Sequence, residues 1–385
     1  MRIRPPRVMK DKVPLMSITP IGGNQGIEVR KWKNNGQRSE SGKGFRFDRV
    51  FPPETSQDDI FSSVRYMSER LIKGFNGAVI AYVYTRTFSL TSLTSFIVNI
   101  IKRYGQTGSG KTHTIGGMQR RMIRRVCELV QKERKEKSCT MKLHMACVEV
   151  YNDKVRDLLG DSRFVDIKSS SSGDNDNSDW SLSVRFPNLV WTELNRFEDS
   201  VMSLTKARTA RAVGRTNVRF PHLFFFSLFP YNYYNLQVHE YSSRSHAIYM
   251  YRVHIKDKMS AVLFLVDLAG SERLKISEAK GVRKTETQHI NKSLSALGDV
   301  CAALDSTSSS NRSTSHIPYR NSKLTLLLKD ALSGNTTTCI IATVSPENAC
   351  SHETLCTLSF AQRCRNIDLK AVTANVRISV FENIK

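Results

Sequence analysis

The stretch Gly105-Gln106-Thr107-Gly108-Ser109-Gly110-Lys111-Thr112, followed at once by His113, constrains this chain more than any other. It fits G-x-x-x-x-G-K-[ST], a loop that wraps phosphates. Gly105 and Gly110 let the backbone turn so that its N–H groups face phosphate oxygens. A helix beginning near Lys111 aims its N-terminal dipole and unsatisfied donors at the same anion. Lys111 can reach the β- and γ-phosphates as a mobile charge, and Thr112 can place its hydroxyl on Mg²⁺. The rival reading, a Gly/Ser-rich surface turn that happens to contain Lys-Thr, has to explain the whole pattern by chance. The loop predicts an α/β fold: a mainly parallel central sheet flanked by helices on both faces, with the nucleotide at strand carboxyl ends.

Two further stretches bear on how a nucleotide would be used. Asp267-Leu268-Ala269-Gly270-Ser271-Glu272 follows Ala261-Val262-Leu263-Phe264-Leu265-Val266, an apolar run that reads as a buried parallel strand. An Asp at the carboxyl end of such a strand can hold Mg²⁺ through water. Gly270 can offer its N–H to a γ-phosphate. Tyr241-Ser242-Ser243-Arg244-Ser245-His246 is rich in hydroxyls and precedes a second alternating apolar run. In this order, GQTGSGKT, SSRSH and DLAGSE resemble the kinesin motor domain, and the resemblance runs from Arg2 to about Ile367.

That resemblance implies a P-loop ATPase that uses ATP and Mg²⁺ and works on microtubules. It puts Ser242 at the attacking water and Ser243 beside Thr112 on the metal. Arg244 pairs with Glu272 to close the pocket when the γ-phosphate is present, and Gly270 senses that phosphate. Arg2-Ile3-Arg4-Pro5 would line the adenine pocket, with Pro5 on one face of the base and His113 near the other. Taken alone, Pro5 equally suits the end of an edge strand. Residues 286–300 would be the relay helix lying on the microtubule, with Lys292 exposed to it; Ile290, Leu294, Leu297, Val300 and Cys301 share one face, as in any core helix. His316-Ile317-Pro318-Tyr319-Arg320-Asn321-Ser322-Lys323-Leu324 resembles the tubulin-contact loop, with Arg320 and Lys323 as its cations. Two positions depart from the pattern: Leu326 stands where kinesins carry Arg, and His239 where they carry Asn.

Lys plus Arg outnumber Asp plus Glu by 58 to 35, a net charge of +23 that calls for a polyanionic partner without naming it. Nucleic acid, anionic lipid and the acidic surface of a microtubule would all serve. No zinc-finger spacing or aromatic-basic RNA signature is present, so the charge does not by itself indicate nucleic acid. It is the kinesin resemblance that implies the microtubule, with no nucleic acid. The eight cysteines form no C-x-x-C pair and read as reduced, mostly core thiols. The N-terminus is no signal peptide, and the apolar patches at 88–101 and 220–230 are too short to span a bilayer as helices. A soluble protein of the cytoplasm and its microtubule cytoskeleton is expected.

Along the chain, 45–51 alternates as a strand and 57–74 has Ile60, Val64, Met67 and Leu71 at helical spacing. Ala78-Val79-Ile80-Ala81 reads as a buried strand that ought to feed the phosphate loop directly. Residues 82–103 intervene instead; deleting them gives Asn76-Gly77-Ala78-Val79-Ile80-Ala81-Tyr104-Gly105-Gln106-Thr107, the family's spacing. Deleting 218–237 likewise joins Gly214-Arg215-Thr216-Asn217 to Val238-His239-Glu240. Both segments read as translated introns; if both are real, a catalytically impaired microtubule-binding protein is the better reading. A nucleic-acid helicase is the other rival, though strand-tracking motifs are lacking. Further elements are a helix at 122–136 with a basic exposed face, a strand at 141–151, loops at 169–178 and 306–315, and a helix at 197–212. A strand at 339–344 and a closing helix at 353–366 complete the motor, and no internal repeat is seen. The motor domain is thus 1–367, with 368–385 as a neck-linker-like segment that suggests plus-end movement. Oligomerisation is expected through a stalk not contained in the chain.

Overall fold

The computed structural model describes residues 1–3, 17–30, 42–82, 111–137, 140–161, 163–169, 182–213, 244–255, 259–270, 282–309, 316–345 and 351–367. The strands are β1 (Arg2–Ile3), β2 (Ser17–Ile21), β3 (Gly26–Arg30), β4 (Lys43–Arg46), β5 (Asn76–Tyr82), β6 (Lys142–Tyr151), β7 (Lys154–Asp157), β8 (Lys168–Ser169), β9 (Val184–Arg185), β10 (Thr192–Glu193), β11 (His246–Ile255), β12 (Met259–Asp267) and β13 (Thr336–Val344). The helices are α1 (Gln57–Ser62), α2 (Tyr66–Leu71), α3 (Lys111–Lys137), α4 (Phe197–Val213), α5 (Val282–Ser309), α6 (Lys323–Leu327), α7 (Lys329–Leu332) and α8 (Ser351–Asn366).

An eight-stranded sheet runs β1-β13-β5-β12-β11-β6-β10, with β7 also on β6. The period of two decides what each strand residue meets. Val79, Ala81, Leu263 and Leu265 point to one face, where α1 to α4 supply Ile60, Met67, Leu71, Ile115, Met122, Val126 and Leu204. Ala78, Ile80, Val262, Phe264 and Val266 point to the other, where Ile290, Leu294, Leu297 and Val300 of α5 pack with Leu324, Leu328 and Phe360. Each of the Val, Leu, Ile, Met and Phe side chains among these contributes about 1.5–3 kcal/mol of burial free energy. A strand read as a continuous apolar run is therefore two interleaved faces, and the helices on both faces match the sequence expectation. A smaller sheet, β2-β3-β4, joins β1 and β13 through Ile27, Val29, Phe45, Ile3 and Val344.

The pairing is mixed, with its parallel part confined to one half. β1, β13, β5 and β12 are parallel neighbours, whereas β12-β11, β11-β6, β6-β10 and β6-β7 are antiparallel. The reason lies in short connections. Only residues 256–258 separate β11 from β12, too few for the crossover a parallel pair needs. At the β6–β7 turn, Asn152 and Asp153 take φ of 50° and 56°, as a tight hairpin demands.

Several boundaries move. Residues 57–74 form two short helices, not one. Ile60, Val64, Met67 and Leu71 are all buried, but the chain passes 62–65 on three-residue hydrogen bonds, Ser63 N to Ile60 O at 3.2 Å and Val64 N to Phe61 O at 2.9 Å. The strand expected at 45–51 stops at Arg46; Phe51 instead bridges β1, its N donating to Met1 O at 2.7 Å. α5 continues to Ser309, into the expected loop at 306–315. The basic face of α3 is partly used for bracing: Arg121 donates to both carboxylate oxygens of Asp58 at 2.6 and 2.8 Å, Arg125 to Glu69 at 3.3 Å, and Arg124 lies over the Phe197 ring.

Tyr82 also changes sides. Assigned above to the first inserted segment, it ends β5, pairs with Ala342 and stacks on Phe360 with ring centroids 4.0 Å apart. Sequence left this open, because Tyr82 and Tyr104 flank residues 83–103 and removal of either tyrosine with them yields the same joined sequence. Residues 83–110, 170–181, 214–243 and 368–385, with the rest of both inserted segments, the loop at 170–178, His239 and the C-terminal segment, lie outside the described residues.

Candidate nucleotide site

β5 and β12 run side by side, with Ala81 paired to Asp267 at their carboxyl ends. α3 starts there. Thr112, its second residue, donates from Oγ1 to Asp267 Oδ2 at 3.1 Å, and Lys111 is buried. The helix N-terminus therefore meets the carboxyl edge of parallel strands, where an anion can take its dipole and free N–H groups. No acidic residue occupies the first turn of α3 to compete with a phosphate. Gly105, Gln106, Thr107, Gly108, Ser109 and Gly110 lie outside the described residues, but the strand and helix that such a loop joins are in place.

Charges converge on the α3 face of this edge. Arg211 of α4 is buried, with Nη1 3.6 Å from Asp267 Oδ2 and Nε 3.6 Å from Glu149 Oε1. It donates to Ser245 Oγ at 3.1 Å and to Ser245 O at 2.7 Å. Burial works to lower its pKa, but Asp267, Tyr249 and Glu149 more than offset this and hold it up. Arg156 closes the cluster on Glu149. Sequence reading missed Arg211, Glu149 and Ser245 as a unit. The available signal was a Glu at an inward position of an otherwise apolar strand, which demands a buried cation.

Neutral hydrogen bonds close the α5 face. Ala269 N donates to His246 Nδ1 at 3.0 Å, so Nδ1 is the acceptor and the proton sits on Nε2. That Nε2 lies 2.8 Å from Ser293 Oγ, which donates to Ile290 O at 2.8 Å. Burial, then the Arg211 and Lys111 charges, push His246 down to about 3, so the ring is neutral. One chain of bonds thus links the strand end at Ala269 to α5, and this link too escaped the sequence reading.

The other expected residues divide. Arg2 Nη1 donates to Thr114 Oγ1 at 2.7 Å, placing β1 against the first turn of α3. His113 Nδ1 accepts from Gln57 Nε2 at 2.9 Å, and a Cβ at Gly117 would come within 2.6 Å of Gln57 Oε1. Gly270 is buried just beyond Ala269, and Arg244 is half-buried. Pro5, Ser242, Ser243 and Glu272 lie outside the described residues. Lys292, Arg320 and Lys323 are exposed. Lys323 N donates to Asp153 Oδ1 at 2.8 Å, and Ser322 and Thr325 form a capping box, so the start of α6 is fixed to the β6–β7 turn.

The oxygens of Thr112 and Asp267 are the hard donors that suit Mg²⁺. Arg211 on Asp267 already offsets that carboxylate's charge, which fits a contact through water better than direct ligation. Among the described residues no helix is long and apolar enough to cross a membrane.

Comparison with known proteins agrees with this geometry. A kinesin motor domain model matches residues 90–220 and 232–367, and a microtubule-binding model matches 20–102. The kinesin-like protein KIN-14L of Arabidopsis thaliana is 34% identical over 86% of the chain, which spans 30% of that protein. KIN-14S of the same plant is 35% identical over 85% of the chain, which spans 37% of it. The chain thus covers about a third of the length of these relatives. Among solved structures, a fast kinesin aligns with TM-score 0.72 and 26% identity, covering 99% of this chain and 94% of its own. The motor domain of Saccharomyces cerevisiae Kar3 aligns with TM-score 0.68 and 28% identity, covering 94% and 98%. With a phosphate-loop helix on Asp267 and the family model matched across most of its length, the chain belongs to the kinesin motor-domain family.

Proposed function

We propose that the chain is a microtubule-stimulated ATPase motor. The observation that carries this is the two-sided closure of one strand edge: Lys111, Thr112, Asp267 and Arg211 on the α3 face, and His246 with Ser293 on the α5 face. Hydrolysis asks a protein mainly to position the γ-phosphoryl and stabilise its charge. Lys111 neutralises the β- and γ-phosphates, and the backbone of residues 105–110 cradles them. Arg2 and Pro5 line the adenine side with His113. Thr112, Ser243 and, through water, Asp267 would hold Mg²⁺, which supplies Lewis-acid charge on the phosphate oxygens. Ser242 orders the attacking water, Arg244 and Glu272 close the pocket, and Gly270 reads the γ-phosphate. Arg211 positions Asp267 and Ser245. Loss of phosphate at Gly270 moves Ala269, and His246 passes the change to Ser293 and α5, a switch of the kind nucleotide hydrolysis drives.

Lys292, Arg320 and Lys323 are the proposed contacts with the acidic microtubule surface. Reversing the charges of Arg320 and Lys323 should weaken microtubule affinity and flatten its salt dependence while leaving basal ATPase intact. Unchanged microtubule affinity would place the contact elsewhere. Cytoplasmic location and oligomerisation through a stalk outside these residues belong to the same reading.

For direction, the plus-end expectation rested on 368–385, outside the described residues, and the similar proteins lend it no support. They are KIN-14 kinesins, and KIN-14, Kar3-like motors are typically minus-end directed. Minus-end travel is therefore the proposal. On polarity-marked microtubules, filaments should glide with plus ends leading; minus ends leading would overturn it.

The two inserted segments favour a second reading if they persist in the protein, because the first separates a strand from its own phosphate loop. The family matches divide on whether they are introns: together they run through the first segment, to residue 103, but not through the whole of the second. The motor-domain match breaks at 221–231, inside the second. Valine codons begin GT and the glutamine codon CAG ends AG, so Val218 and Gln237 can carry intron boundaries. At the first segment, the last base of an Ala81 codon GCG with the first of Tyr82 reads GT, and an Arg103 codon AGA or AGG opens with AG. Excision there leaves Tyr104 where Tyr82 stacks on Phe360, so the strand end keeps its ring. Sequencing the mature message decides it: both segments present means they are genuine, and the impaired microtubule binder becomes the better reading.

A further inference from the structure

Cys301 of α5 and Cys364 of α8 meet where the two helices pack. Cys364 Sγ donates to Cys301 Sγ at 3.6 Å; Cys301 is buried and Cys364 half-buried. Two neighbouring core thiols are ordinarily just small apolar residues. Two observations set this pair apart. The two sulfurs face each other at 3.6 Å across adjacent helices, whereas a disulfide needs about 2.05 Å, so the side chains must turn to bring them together. Cys364 also lines a cavity of about 610 Å³, with Tyr66, Leu304, Ala361 and Ile367, wide enough to admit a small oxidant.

We propose that Cys301 and Cys364 form a reversible disulfide that locks α5 to α8 and slows the motor. The lock rests on the reading of α5 as the element that moves with the nucleotide. With hydrogen peroxide as oxidant, the Cys364 sulfur attacks one peroxide oxygen and the O–O bond breaks. A sulfenic acid forms, and the departing hydroxide takes up the thiol proton as water. The Cys301 sulfur then attacks Cys364 Sγ, the S–O bond breaks and a second water leaves with the Cys301 proton. Two thiols have lost two electrons and the peroxide has gained them. A hydrogen bond with Cys301, and then burial, hold the Cys364 thiol well above the ordinary range, so Cys364 rests as a neutral thiol. Oxidation is consequently slow, and faster at higher pH. Once formed, a covalent link between the two helices leaves α5 no room to slide against α8.

The test treats the purified chain with hydrogen peroxide, blocks remaining thiols, and maps peptides without reduction. Phosphate release is then measured with and without microtubules. A peptide joining Cys301 to Cys364 is expected. Microtubule-stimulated release should fall about tenfold, the scale of ordinary coupling between sites, and return on reduction with dithiothreitol. Cys364→Ser should turn over normally and resist peroxide. The lock is overturned if Cys356 is oxidised while Cys301 and Cys364 stay free, if the joined protein retains its stimulated rate, or if Cys364→Ser is inactivated equally. The peptide map reads the bond without any activity. Failure of the motor reading is distinct: it shows as absent stimulation in the reduced protein.

Discussion

At the carboxyl edge of β5 and β12, the two faces of one sheet are built alike and finished differently. Both bury alternating apolar residues under helices. Toward α3 the edge ends in charge: Lys111, Asp267, Arg211 and Glu149. Toward α5 it ends in neutral bonds among Ala269, His246 and Ser293. Buried charges hold each other at fixed spacing, since removing one strands its partner at several kcal/mol. Neutral hydrogen bonds are worth about 0.5–1.5 kcal/mol each and can break and reform within a cycle. The charged face suits gripping phosphate, and the neutral face suits passing on its loss.

The contrast is broken most severely at Arg211. Arg211→Met leaves Asp267 and Glu149 buried without their shared cation, and should destabilise the fold by about 3–5 kcal/mol, at the lower end because Arg156 still serves Glu149. Urea unfolding measures this, and a loss no greater than that of Ser293→Ala would erase the difference between the faces. Next comes Lys111→Ala. Charge-assisted bonds contribute about 1.5–3 kcal/mol each, and Lys111 serves two phosphates, so ATP affinity should fall about a hundredfold. Titration with a fluorescent nucleotide reads it; an affinity within a few-fold of wild type would place the phosphates elsewhere.

A smaller effect concerns pH. His246 is held near 3 by burial and by Arg211 and Lys111, below its ordinary value of about 6.5. Between those values the unfolded chain binds the extra proton, so this stability is complete above about pH 6.5 and drains as pH falls, by up to about 1.4 kcal/mol per pH unit. Carboxylates titrate lower, so the wild type compared with His246→Gln between about pH 5 and pH 6.5 isolates the ring. Parallel stability curves for the two proteins would show that His246 is not buried neutral. Smallest is Ser293→Ala, which removes the acceptor of His246 Nε2 and should cost about 1 kcal/mol. Nucleotide affinity should hold while microtubule stimulation drops; if both hold, the neutral link carries no signal.

What sequence could show follows the range of each interaction. The helix start at Lys111 and Thr112, the aspartate at the end of an apolar strand, and the buried face of α5 through Ile290, Leu294, Leu297 and Val300 are local patterns, and all were legible. Arg211 lies on α4, Glu149 on β6 and Ser245 just before β11, and only the register of β6 against β11, with α4 packed on that face, brings them together. The break between α1 and α2 was hidden because Ile60, Val64, Met67 and Leu71 keep helical spacing across it. The end of β5 was ambiguous for a plainer reason: a tyrosine stands on both sides of residues 83–103, and only pairing with Ala342 and stacking on Phe360 pick out Tyr82.

The most direct test is steady-state phosphate release by the protein translated from the mature message, with and without polymerised tubulin. Microtubules should raise the rate severalfold or more, and Lys111→Ala should abolish it in both conditions. A rate indifferent to microtubules, or one raised by nucleic acid instead, would contradict the proposal that this strand edge drives a motor.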